Sequence, residues 1–137
     1  MKSKIALLFL ALVFSSCSDN ASVNFFDKNI ANKEIECMKL VVFPPDQEIQ
    51  NSLNNLYKFE SNCEYKLEVS KKNGISCNSN QNLQKKAMGS FPSSYLKIQL
   101  NKGNQLLYSY YIDLKEDVKE SDVKRAFNRL DNDLKLN

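Results

Sequence analysis

The most reactive side chains in this 137-residue chain are four cysteines, Cys17, Cys37, Cys63 and Cys77. Thiols take lipid, bind metal or pair as disulfides, and their spacing decides among these fates. No two stand in a C-x-x-C arrangement and the chain has no histidine, so neither a zinc cluster nor a Cys-His nucleophile can be assembled. A Ser-His-Asp triad is excluded on the same ground. The three glycines lack the spacing of a phosphate-cradling loop. Paired carboxylates occur at Glu116 and Asp117 and at Asp131 and Asp133. Both pairs sit in charge-rich helix flanks, where solvation explains them better than acid-base chemistry. The chain is therefore expected not to be an enzyme, with no cofactor and no metal.

Cys17 stands apart from the other three. Lys2 and Lys4 are followed by ten apolar residues, Ile5 to Phe14, and by the small pair Ser15-Ser16. Ten residues make a helix of only about 15 Å, half the hydrocarbon thickness of a bilayer, so the run is too short to anchor a protein by spanning. It is apolar on every side, unlike a core helix. A positive start, a short apolar run and small residues compose an export signal. Phe14-Ser15-Ser16-Cys17 resembles the lipobox of bacterial lipoproteins, with Phe14 where Leu is usual. That resemblance covers about twenty residues of the start alone. It implies cleavage before Cys17, a diacylglycerol on its thiol and a cell-envelope location. Since Ser18 rather than Asp follows the cysteine, it implies the outer membrane in a host with two membranes. Two or more acyl chains hold a protein to a membrane far longer than one. The alternative is ordinary cleavage after Ser15, which would release a soluble protein.

With Cys17 lipidated, Cys37, Cys63 and Cys77 remain as disulfide candidates in a compartment that oxidises thiols. An odd number allows one internal bond. Cys63 and Cys77 are close in sequence. Cys37 and Cys63 would lie near one another if the first two strands are parallel neighbours, and that pairing is preferred. The third thiol is either a buried, inert cysteine or a link to another protein.

Composition argues against a nucleic-acid partner. Removing Lys2 and Lys4 from 19 basic residues leaves 17 against 16 acidic ones, alternating along the chain rather than gathered on one face. The apolar content of 42% is that of a globular protein with a real core. Residues 17–32, rich in Ser and Asn, read as a lipidated tether reaching at most about 50 Å when extended. Phe25, Phe26 and Ile30 interrupt its polar run and offer a way to dock it. A single domain is expected over 33–137.

The elements that position these residues follow from periodicity. Glu34 to Phe43 reads as a strand ending in a continuous apolar run, buried on both faces. Asp46 is a candidate N-cap for a helix bearing Ile49, Leu53, Leu56 and Tyr57 on one face and ending near Phe59. Glu64 to Ser70 is a strand with Tyr65, Leu67 and Val69 inward. A turn at Gly74, in the left-handed conformation, would return Ile75 to Cys77 as a short strand, pairing Val69 with Cys77. Residues 78–93 read as a loop. A hairpin then joins Tyr95–Leu100 to Gln105–Asp113, with Leu100 opposite Leu106 and Tyr108 and Tyr110 facing the core. Tyr95, Leu107 and Tyr111 fall on the other face. That makes them the candidate partner surface, or else a second core layer. A last helix, capped by Ser121, carries Val123, Ala126, Phe127, Leu130 and Leu134.

The expected fold is α+β: about five strands in an antiparallel or mixed sheet, order β-α-β-β-loop-β-β-α, with both helices on one face. The expected function is that of a non-catalytic envelope lipoprotein binding another envelope protein as an accessory part of an assembly. The alternative is a periplasmic inhibitor or immunity protein acting on a wall hydrolase or toxin.

Overall fold

A computed structural model describes residues 20–75 and 92–137. The chain is an α+β domain built on a five-stranded mixed sheet. Its strands are β1 (Ser22–Phe25), β3 (Lys39–Phe43), β4 (Tyr65–Lys72), β5 (Ser94–Lys102) and β6 (Gln105–Leu114), in the order β1-β6-β5-β4-β3. Within this sheet only β3 and β4 are parallel, joined through α1 (Gln47–Asn54). A second, two-stranded sheet, also parallel, ties β2 (Glu34–Ile35) to β7 (Lys135–Leu136), behind the long helix α2 (Glu120–Asp133). No helix among the described residues is long and apolar enough to cross a membrane.

The core is where alternation placed it. Leu67 and Val69 of β4, Leu96, Ile98 and Leu100 of β5, and Tyr108, Tyr110 and Ile112 of β6 are buried. Against them pack Ile49 and Leu53 of α1 and the apolar stripe Val123, Ala126, Phe127 and Leu130 of α2, closed by Leu134. Burying a side chain of this size contributes about 1.5–3 kcal/mol. The hydroxyl of buried Tyr108 donates to Asp133 (2.9 Å), which also accepts from Arg129. Burial first, and then that carboxylate, hold the Tyr108 hydroxyl protonated far above the ordinary tyrosine range.

Several local expectations are corrected. Residues 21–32 of the expected tether belong to the fold: Ser22–Phe25 pairs with β6, Ile30 is fully buried and Ala21 and Val23 pack on the core. The expected first strand breaks into β2 and β3, and β3 lies at the sheet edge with Val41 42% and Phe43 70% exposed. Both helices cover the same side of the sheet, so its apolar run is not buried on two faces. The return strand from Gly74 has no place beside β4, because Val69 already lies between Val42 of β3 and Ile98 of β5. Gly74 does adopt the left-handed conformation, φ +63°. Residues 76–91, including Cys77, lie outside the described residues, as do Cys17 and the expected signal.

The hairpin register moves by two residues. Leu100 faces Tyr108, not Leu106: a two-residue turn at Gly103 (φ +57°) and Asn104 moves the pairing by one residue, and an extra residue in β6 moves it by one more. A bulge then leaves Leu107 as the extra residue between two ladder pairs, and it turns inward, 3% exposed. Its carbonyl accepts from the backbone N–H groups of Phe26 and Asp27 (2.9 and 3.4 Å), so the bulge is where the N-terminal segment is held.

Helix ends also move. α2 begins at Glu120 with Lys119, rather than Ser121, in the cap position, because the Asp122 carboxylate reaches back to the Lys119 N–H (2.9 Å). α1 stops at Asn54, and Leu56, expected on its buried face, is 39% exposed. Asp46 caps α1 as expected, accepting from the Ile49 N–H (3.1 Å) and pairing with Lys71 (2.6 Å). Lys71 first, and then the Ile49 N–H, hold its carboxyl below the usual aspartate range. Replacing Asp46 with Ala is expected to cost about 1 kcal/mol at neutral pH. A group whose folded pKa is depressed stabilises fully above its unfolded pKa, and loses this as pH falls through the folded value. The gap between wild type and variant in urea unfolding should therefore narrow as pH falls below the ordinary aspartate range, and a gap that stays constant there would assign the effect to packing.

Candidate functional surface

Side chains of the sheet face away from the helices fall in rows set by the strand register. One row runs Phe43, Ser70, Lys97, Tyr111 and Ser22, crossing all five strands from β3 to β1. Beside it Lys72 lies opposite Tyr95, and Tyr95 opposite Asp113. Tyr95 and Tyr111 are thus diagonal neighbours, and their rings stack with centroids 5.7 Å apart and planes 26° apart. The Tyr111 hydroxyl donates to Asp113 (2.8 Å). That acceptor first, and then partial burial, push the hydroxyl up to about 12, so it stays neutral at physiological pH. The pair presents ring surface fixed by stacking and by one hydrogen bond, which costs little side-chain entropy to dock against.

The sequence placed Tyr95 and Tyr111 together, and the structure does so. Leu107 is not part of this surface. The bulge turns it into the core, where it leaves no apolar contact for a partner. Two residues that the sequence reading assigned to a doubly buried strand, Val41 and Phe43, belong to the exposed face instead. No local pattern marks them, because their exposure follows from the sheet order, which leaves β3 at the edge.

Open cavities border this side. One of about 470 Å³ is lined by Phe43, Pro44, Lys72, Asn73 and Tyr95, and another of about 250 Å³ by Val41, Phe43, Glu68 and Lys97. Glu68 is engaged, pairing with Lys66 (2.6 Å) and accepting from Asn101 (3.1 Å). Among the described residues no carboxylate pairs with Lys39, Lys72 or Lys97, and with Lys66 these outnumber Glu68 and Asp113, so this face carries a positive balance of charge.

The cysteines resolve into a bond at the opposite end of the sheet. Cys37 and Cys63 form a disulfide with Cα atoms 5.8 Å apart, just before β3 and β4 respectively. The parallel register brings them there, since Lys39 pairs with Lys66. This excludes Cys63–Cys77. A Glu60 oxygen lies within 4.8 Å of both sulfurs, but the sulfurs are consumed in the bond, so the trio offers a metal one carboxylate. Of the paired carboxylates, Glu116 bonds Lys119 and Asp133 anchors Tyr108 and Arg129, each a structural role. No protein family, curated protein or solved structure matches the chain.

Proposed function

We propose that this chain is a non-catalytic, lipid-anchored cell-envelope protein that binds another envelope protein through the exposed sheet face. The observation that carries the binding role is the stacked Tyr95–Tyr111 pair, continuous with exposed Phe43 and with cations lacking partners. Tyrosine offers large contact area with a polar tip, and such residues dominate binding energy at interfaces. The lipobox-like run before Cys17 supports the anchor, and lack of histidine supports a role without general base catalysis.

The test is capture in the cell. Crosslinking of the full chain, followed by pull-down and mass spectrometry, should recover a specific envelope protein that is lost with Cys17→Ala. Joint replacement Tyr95→Ser and Tyr111→Ser should cut recovery about tenfold or more, a loss on the scale of an interface hot spot. Circular dichroism should stay native. Undiminished capture by a folded double variant would refute this surface. A captured wall hydrolase or toxin whose activity falls on binding would reassign the protein as an inhibitor.

A further inference from the structure

A sheet edge left open presents unpaired backbone donors and acceptors, and proteins ordinarily guard such edges with charges, prolines or bulges. The two edges of this sheet differ. β1 is four residues long, with Ser22 and Asn24 on its outward-facing side. β3 reads Lys39-Leu40-Val41-Val42-Phe43, with Lys39 at one end, Pro44 just past the other, and nothing guarding the centre. Among the described residues no backbone group of Lys39–Phe43 bonds to anything but β4. The Glu60 N–H closes the carbonyl of Met38 (2.9 Å), so the open edge begins at Lys39.

Room for alternate side chains of an added strand exists on both faces. Towards the outer face lies the cavity holding Val41, Phe43 and Lys97. Towards the helix side a cavity of about 270 Å³ is lined by Leu40, Gln50, Asn54 and Phe59. Strand addition uses such a combination: main-chain hydrogen bonds give affinity, and pockets for alternate side chains give specificity.

Charge selects the occupant. Lys39, Lys72 and Lys97 form no ion pair among the described residues, and the lysines outnumber Glu68 and Asp113 on this face, so a segment bearing Asp or Glu is favoured and a basic one is repelled. A second copy fits poorly, because pairing β3 with itself would bring both lysine sets onto one joined face. We propose that β3 is a docking edge that takes an extended segment of a partner protein carrying carboxylates alternating with apolar residues. This rests on the protein-binding reading above and names how that partner is held.

The experiment uses the full chain purified in mild detergent, with three fluorescein-labelled ten-residue probes. These alternate Glu and Val, alternate Lys and Val, or alternate Glu and Val with two central prolines. Anisotropy should show the Glu-Val peptide binding, with the lysine and proline peptides at least tenfold weaker. Amide exchange at residues 39–43 should slow at least tenfold on binding. Val41→Lys and Lys97→Glu, both at accessible positions, should each weaken binding at least fivefold while circular dichroism stays native. Equal binding of acidic and basic peptides, no binding at millimolar peptide, or protection elsewhere than residues 39–43 would overturn the proposal. Exchange at 39–43 that slows with protein concentration alone would assign the edge to a second copy and overturn it too. If Val41→Lys leaves cellular capture intact while Tyr95→Ser with Tyr111→Ser abolishes it, strand addition fails and the binding role stands.

Discussion

Replacing Ile30 with Ala is expected to destabilise the domain by about 3 kcal/mol, the cost of emptying a buried isoleucine site. Ile30 is fully buried, in a short 3-10 turn (Ile30–Asn32) between β1 and β2. Were residues 17–32 only a tether, the same change would cost nothing measurable, because exposed substitutions fall within about 0.5 kcal/mol. Starting the chain at Lys33 should do more. It would remove β1, Ile30 and the two N–H donors to the Leu107 carbonyl, and it would uncover Tyr108, against whose ring Phe25 packs edge-on at 5.3 Å. Urea unfolding of the point variant, and circular dichroism of the truncated chain, check both. A truncated chain as stable as the whole would return the boundary to Lys33.

The second large effect is expected at the disulfide. Cys37 and Cys63 are 26 residues apart, and closing a loop of that size removes denatured-state entropy worth about 3.5 kcal/mol. Replacing both with Ser should lower the thermal midpoint by about 15 °C, given about 4 °C per kcal/mol for a domain near this size. The loss should reach wild type on addition of reductant and leave the double variant unaffected. Peptide mapping without reduction should recover Cys37 linked to Cys63. Recovery of Cys77 in that bond would contradict the register of β3 and β4.

What could be read from the sequence followed from how local each cause is. The Asp46 cap, the stripe from Val123 to Leu130 and the Cys37–Cys63 pairing depend on neighbouring residues or on one β-α-β unit, and periodicity reveals them. Tyr108 and Tyr110 were legible as core even though the register slipped, because a shift of two residues keeps each side chain on its face. Leu107 was not, since a bulge changes the parity of a single residue and depends on a contact with Phe26 and Asp27 far away in the chain. The N-terminal strand was hidden by its Ser and Asn content. Its signal was the alternation Ala21, Val23 and Phe25, too short to outweigh composition until a neighbour at β6 gave it a ladder. The stacked tyrosines needed only correct parity. Phe43 needed the sheet order, which no local pattern carries.

Docking of β1 against β6 also sets a distance. Ser22 is only five positions beyond Cys17, and five Cα steps span at most about 18 Å, against about 50 Å for a free leash to Asn32. Ser22 begins its strand beside Tyr111, at the end of the sheet that also holds Phe43, Tyr95 and Lys72. The disulfide and the Gly103 turn lie at the other end. A lipid on Cys17 would thus hold the domain close to the bilayer, with the aromatic end of the sheet nearer the attachment point than the disulfide. A partner of a domain tethered so would have to come to the membrane surface to be met.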